Sequence, residues 1–179
     1  MKNIPNIMSV FRILLVPLFI WLYFSGNPVW LAAAVVILAA ATDVADGFIA
    51  RKYNLVTVTG QVLDPLADKL MQLSVIITLW VDDKIPKWAI ALIAAKELIM
   101  IIGGCILYFF KKKTAIPAEW YGKAATVLFY ITMLYIIILN RVDYVATILI
   151  VMTVALMMYS LVRYFAHFVR LAKKDKVSV

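Results

Sequence analysis

Asp43-Val44-Ala45-Asp46-Gly47-Phe48-Ile49-Ala50-Arg51, followed after eight residues by Gly60-Gln61-Val62-Leu63-Asp64-Pro65-Leu66-Ala67-Asp68, places four aspartates at the facing ends of two long apolar runs. The first run rises from Pro28 and the second continues to Val81. A membrane-crossing helix needs roughly 20 mostly apolar residues, and both runs reach that length. If both are helical, Asp43 and Asp46 (i, i+3) share a face, as do Asp64 and Asp68 (i, i+4). The short connection over 52–59 makes the two helices antiparallel neighbours. All four carboxylates then converge on one small volume at one end of the pair.

Working outward, the rest of the chain has the same character. Hydrophobic residues make up 65% of the 179 and charged ones 16%, with a mean hydropathy of +0.97. A soluble domain is about half apolar and a quarter charged, so lipid is the expected solvent. Six segments qualify as spans: Ile7–Phe24, Pro28–Ala50, Gly60–Val81, Pro86–Phe110, Trp120–Leu139 and Asp143–Phe168. The sixth is long enough to extend beyond the bilayer. The expected fold class is all-α: a polytopic membrane protein with six transmembrane helices and one domain over residues 1–179. Lys2 and the apolar stretch after it resemble a secretion signal, but Ser25-Gly26-Asn27-Pro28 offers no small-x-small cleavage site. That stretch is read as a retained first helix.

The basic residues are unevenly divided. Lys2, Arg51, Lys52, Lys111–Lys113, Lys123, Arg163, Arg170, Lys173, Lys174 and Lys176 fall on one side, 12 in all, against Lys84, Lys87 and Arg141 on the other. The positive-inside rule puts the richer side, both termini and the aspartates at the cytoplasmic face of the plasma membrane. The net charge of +8 is distributed as anionic lipid headgroups require, between spans and at the C-terminus, and does not call for nucleic acid. Cys105 is the single cysteine and His167 the single histidine, which excludes a disulfide framework and a zinc cluster.

Four carboxylates cannot stay ionised together in low dielectric without compensation. A bound cation supplies it, and oxygen-only ligation selects a hard ion, Mg²⁺ or Mn²⁺, with two ions plausible for four acids. The plainer reading pairs these acids with Arg12, Lys69 and Lys96, the basic residues inside spans. Four membrane aspartates used only as structural counter-charges are costly, which favours function. Gly47, Ala50 and Gly60 lack bulk beside the acids and would let a ligand approach the backbone.

Asp43-x-x-Asp46-Gly47-x-x-Ala50-Arg51, eight residues, then Gly60-x-x-x-Asp64-x-x-x-Asp68 matches every fixed position of a known signature. On it the chain resembles the CDP-alcohol phosphatidyltransferase family, whose members exchange the CMP of a CDP-linked lipid for an alcohol. The resemblance implies that Asp43, Asp46, Asp64 and Asp68 bind metal and that Asp68 is also the general base. It implies that Asn6, Ser9, Gly47, Ala50, Arg51 and Gly60, together with Asp43, Asp46 and Asp64, serve the nucleotide and diphosphate. It also implies a homodimer. Asn3-Ile4-Pro5-Asn6-Ile7-Met8-Ser9-Val10-Phe11-Arg12 and Asp64-Pro65-Leu66-Ala67-Asp68-Lys69 look like the branch that makes phosphatidylglycerophosphate and like the related cardiolipin synthases.

The expected reaction is therefore transfer of a phosphatidyl group from CDP-diacylglycerol to glycerol 3-phosphate, with phosphatidylglycerol as the rival acceptor. Lys96, Lys123 and Arg163 are candidates for the acceptor phosphate. The fourth span departs from the branch, with Lys96-Glu97 where an Arg-Glu pair is usual and Gly103-Gly104-Cys105 where a Gly-Leu-Arg run is usual. Gly122-Lys123-x-x-Thr126 resembles the branch's element before the fifth span. A divalent-cation transporter would also need buried carboxylates. The signature's position at one membrane face rather than mid-bilayer argues against transport.

Overall fold

A computed structural model describes residues 4–52, 58–110 and 120–177, all helical apart from tight turns. Among the described residues there are six helices: α1 (Ile4–Phe24), α2 (Val29–Lys52), α3 (Val58–Val81), α4 (Lys87–Phe110), α5 (Trp120–Leu139) and α6 (Tyr144–Val177). The expected helix number and order hold. Three of them, over Ile7–Phe24, Trp120–Leu139 and Tyr144–Ala166, are long and apolar enough to cross a membrane, and α2 carries a shorter apolar stretch, Val29–Ala45. The chain is a membrane protein by this measure and by the surface described below.

Local chemistry explains where the helices stop. At the end of α1, Gly26 takes φ 70°, a left-handed geometry natural to glycine, and Pro28 restarts the chain by accepting from the Leu31 amide. At the end of α3, Asp83 takes φ 54°. The Lys84 amide reaches back to Leu79 at 2.8 Å and the Asp83 amide to Trp80 at 2.9 Å. That 6→1 and 5→2 pair is a Schellman closure, here built on an aspartate, one of the few non-glycine residues that visit this region. Asp143 caps α6 by accepting from the Ala146 amide at 2.8 Å.

By contacts the chain divides into two compact units. The first comprises residues 1–85 and 133–141, with α1 packed against both α2 and α3. Its interior follows helical periodicity. Ser9, Arg12, Leu15 and Phe19 are the buried stripe of α1, and Ala67, Met71, Val75 and Leu79 that of α3. On α2 the buried positions Ala32, Ala33, Val36 and Ala39 are small, which lets membrane helices approach closely. Asp64 stands three residues before Ala67 and Asp68 three before Met71, so they continue the inward face of α3.

The second unit comprises residues 86–132 and 142–179, with α4 packed on α6. Ala89, Ile93 and Glu97 are the buried stripe of α4, and Tyr121, Ala125 and Phe129 that of α5. Between α5 and α6 the hydroxyls of Thr132 and Thr153 meet at 2.8 Å, both buried. Such hydrogen bonds join helices in surroundings where apolar burial cannot. The outer surfaces of both units are apolar. Trp21 and Trp30 are each 61% exposed, and Leu14, Ile77, Val127 and Val151 also face outward. A helical protein in water keeps such a surface polar, whereas one in lipid does not.

Candidate functional site

The acidic constellation lies within the first unit, where α1 supplies its counter-groups. The Arg12 side chain is 1% exposed. Its Nη1 stands 2.9 Å from Oδ1 of Asp43 on α2 and donates to Oδ1 of Asp68 on α3 at 3.1 Å. One guanidinium nitrogen thus bridges carboxylates of two helices. Three residues earlier on the same face of α1, the hydroxyl of Ser9, fully buried, donates to Oδ1 of Asp64. Three of the four expected acids are therefore gathered around one face of α1. Asp43 and Asp68 keep partial access to solvent, with side chains 41% and 31% exposed.

For Asn6, Asp46, Gly47, Ala50, Arg51 and Gly60 only the helical backbone is described, and the readings on their side chains fall outside the described residues. The backbone nonetheless puts Asp46, Gly47, Ala50 and Arg51 in the last turns of α2 and Gly60 in the first turn of α3. Among the described residues no three His, Cys, Asp or Glu side chains are grouped to hold one ion together. The donor set of Asp43, Asp64 and Asp68 is nonetheless all oxygen and drawn from facing helices, which suits a hard divalent cation.

The three cations expected at an acceptor phosphate belong to the second unit. Lys96 donates to Glu97 at 2.6 Å, and both side chains are largely buried in α4. The Arg163 guanidinium on α6 lies over the Tyr121 ring of α5, 5.7 Å from its centre. Lys123 is exposed one turn into α5. Gly122 beside it faces Ser160 closely enough that an added methyl would touch that hydroxyl at 3.6 Å, ordinary contact. Lys69, the remaining basic residue within a span, reaches Gln72 on its own helix at 3.4 Å.

Sequence reasoning singled out Arg12 as a charge at membrane depth but not as the residue joining two acids. Its reach from α1 to α2 and α3 is a tertiary fact; the sequence offers Arg12 as a counter-charge for the aspartates without saying which of them it meets. A second cluster, at the opposite end of the first unit, was missed. The Tyr23 hydroxyl donates to Asp82 at 2.6 Å, and Lys84 donates to the Tyr23 oxygen at 2.9 Å. Lys84 also meets Asp82 and Asn140. Burial pushes the Asp82 carboxyl up, but hydrogen bonds from Lys84 and Tyr23 and the charge of Lys84 outweigh it and hold it below the usual carboxylate range.

The family model for CDP-alcohol phosphatidyltransferases matches residues 2–161. A Rickettsia typhi protein named CDP-diacylglycerol–glycerol-3-phosphate 3-phosphatidyltransferase is 38% identical over 130 residues, 72% of each chain. An Aquifex aeolicus protein of the same name is 33% identical over 144 residues, 79% of each chain. A putative cardiolipin synthase of Mycobacterium tuberculosis is 30% identical over 124 residues, covering 69% of this chain and 59% of the relative.

Proposed function

This chain belongs to the CDP-alcohol phosphatidyltransferase family, and from that premise we propose that it transfers the phosphatidyl group of CDP-diacylglycerol to glycerol 3-phosphate, releasing CMP and forming phosphatidylglycerophosphate. The observation that carries the acceptor is the similarity to relatives named for that reaction, 38% and 33% identical over 72% and 79% of their own lengths. The cardiolipin alternative rests on relatives of lower identity that the chain matches over 59% of their length.

On this reading Asp43, Asp46, Asp64 and Asp68 hold divalent metal, Mg²⁺ or Mn²⁺, as two ions. When bound, the metal neutralises charge on the diphosphate and on the departing CMP. Asp68 accepts the proton of the incoming hydroxyl. The hydroxyl oxygen bonds to the phosphorus that carries diacylglycerol, the bond from that phosphorus to the CMP oxygen breaks, and its electron pair leaves with CMP. Direct displacement fits a site whose described acids are carboxylates with no separate strong nucleophile beside them. The last turn of α2 and the first of α3, with Asn6 and Ser9 of α1, serve the nucleotide and diphosphate. Lys96, Lys123 and Arg163 serve the acceptor phosphate.

The 12-to-3 division of basic residues supports six spans with both termini and the site at the cytoplasmic face of the plasma membrane. There the nucleotide enters from water while the acyl chains stay among the membrane lipids. The family match over residues 2–161 supports reading residues 1–179 as a single domain, and the family resemblance favours a homodimer.

The test is an acceptor screen. Purified protein is given CDP-diacylglycerol, metal and each acceptor separately, and CMP release is measured. Release fastest with glycerol 3-phosphate is the expected result. Release with phosphatidylglycerol alone would move the protein to cardiolipin synthesis and leave the aspartate chemistry standing.

A further inference from the structure

We infer that α1 forms the outer layer of the metal site: Arg12 is a positioning residue that orients the carboxylates of Asp43 and Asp68 toward the cation, and Ser9 does the same for Asp64. The inference rests on the metal role proposed above for those acids. Ser9 and Arg12 are three residues apart on one face of α1, both buried, and between them they engage three acids on two other helices. Burying a guanidinium at membrane depth is costly unless it is compensated. Two residues of the acidic cluster itself, Asp43 and Asp68, contribute to that compensation.

The contacts are made through Oδ1 in each case. A carboxylate carries two oxygens and about four lone-pair directions, so one oxygen held by α1 still allows the group to ligate a cation. Carboxylates that bind metal are commonly held in this way by hydrogen bonds from behind, which set their direction and reduce the disorder lost on binding. An opposite effect is conceivable, because a guanidinium repels a divalent cation. The charge balance favours orientation: the positive charges of Arg12 and nearby Lys69 are set against the three carboxylates of Asp43, Asp64 and Asp68, and the group remains attractive to a cation. The two effects differ in the sign of a measurable quantity.

The measurement is Mn²⁺ binding to the purified protein in detergent, without substrate, read by electron paramagnetic resonance. The wild type should bind Mn²⁺; if it binds none, the metal reading fails and this inference falls with it. Arg12→Gln should weaken binding about 10–100-fold, the usual effect of removing a group that orients a ligand. Arg12→Lys, which keeps a charge and a donor, should recover part of the loss. Ser9→Ala should weaken binding by a smaller factor and carries the test alongside Arg12→Lys should Arg12→Gln fail to fold. Leu15→Ala loosens the packing of α1 without touching an acid, and should leave Mn²⁺ affinity unchanged. Equal or tighter binding by Arg12→Gln, with wild-type binding intact, would overturn the inference alone by making Arg12 a spectator or a competing cation. A loss in Leu15→Ala as large as in Arg12→Gln would overturn it too, by reducing the effect to general loosening.

Discussion

At the scale of single residues, the proposed chemistry rests on the acids and its proposed geometry on their neighbours. Asp68 lies on the inward face of α3 and takes a hydrogen bond from Arg12. Asp68→Asn keeps the volume and one oxygen but removes the base. Loss of a general base costs about 10²–10⁴-fold in rate, so kcat for CMP release should fall by at least that range. Near-normal turnover would remove Asp68 from the role. Lys123 has a different kind of prediction. It is exposed at the start of α5, and a contact to the acceptor alone means that Lys123→Ala raises KM for glycerol 3-phosphate more than KM for CDP-diacylglycerol. Equal increases would place its contact elsewhere.

The same scale shows what was legible in the amino-acid order. Asp43, Asp64 and Asp68 stood out because helical spacing turns sequence separation into a shared face. Pairing of Arg12 with the aspartates is one reading the sequence offers, but which acids it joins is not legible, since the contacts to Asp43 and Asp68 span more than 30 and 50 residues and depend on how α1 lies against its neighbours. Lys96, a candidate for the acceptor phosphate or a counter-charge to the aspartates, forms an ion pair with the adjacent Glu97.

At the scale of elements, hydropathy located the helices to within a few residues. The sixth span, expected over Asp143–Phe168, agrees with the apolar stretch Tyr144–Ala166, and α6 continues past it to Val177 because a basic segment that cannot enter lipid can still continue a helix in water. The turn after α3 is more than a break between spans. It is a built closure in which Tyr23 of α1, Asp82 and Lys84 of the turn and Asn140 at the end of α5 interlock. Its contribution depends on pH in a defined direction. The folded-state pKa of Asp82 is depressed, so its stabilisation is fully present above the unfolded carboxylate pKa of about 3.9 and is lost as pH falls through the lower folded value. Asp82→Asn should therefore be less stable than wild type near neutral pH, by at most about 1 kcal/mol for so exposed a pair, and the gap should close in acid. A gap that widens as pH falls would contradict this assignment. Denaturation in detergent across the pH range measures it.

At the scale of the whole molecule, the distribution of charge predicts orientation. The short segments after α1, α3 and α5 should face outward and those after α2 and α4 should face the cytoplasm. In a background without Cys105, Ser25→Cys should react with an impermeant thiol reagent in intact cells, and Asn54→Cys should react only after lysis. The reverse pattern would invert the topology and remove the site from the cytoplasmic face proposed for it. The apolar outer surface, with Trp21 and Trp30 well exposed, agrees with a lipid environment whichever way the chain is inserted.

The central claim is that clustered aspartates and a divalent cation move a phosphatidyl group, and metal removal with product analysis tests it most directly. Purified protein is stripped by exhaustive chelation, supplied with CDP-diacylglycerol and glycerol 3-phosphate, and assayed for CMP and lipid product before and after Mg²⁺ or Mn²⁺ is restored. The account predicts no turnover without metal, and equal amounts of CMP and phosphatidylglycerophosphate once it returns. Full turnover in the chelated protein would contradict the account. So would a restored protein that carries metal into proteoliposomes without nucleotide and releases no CMP.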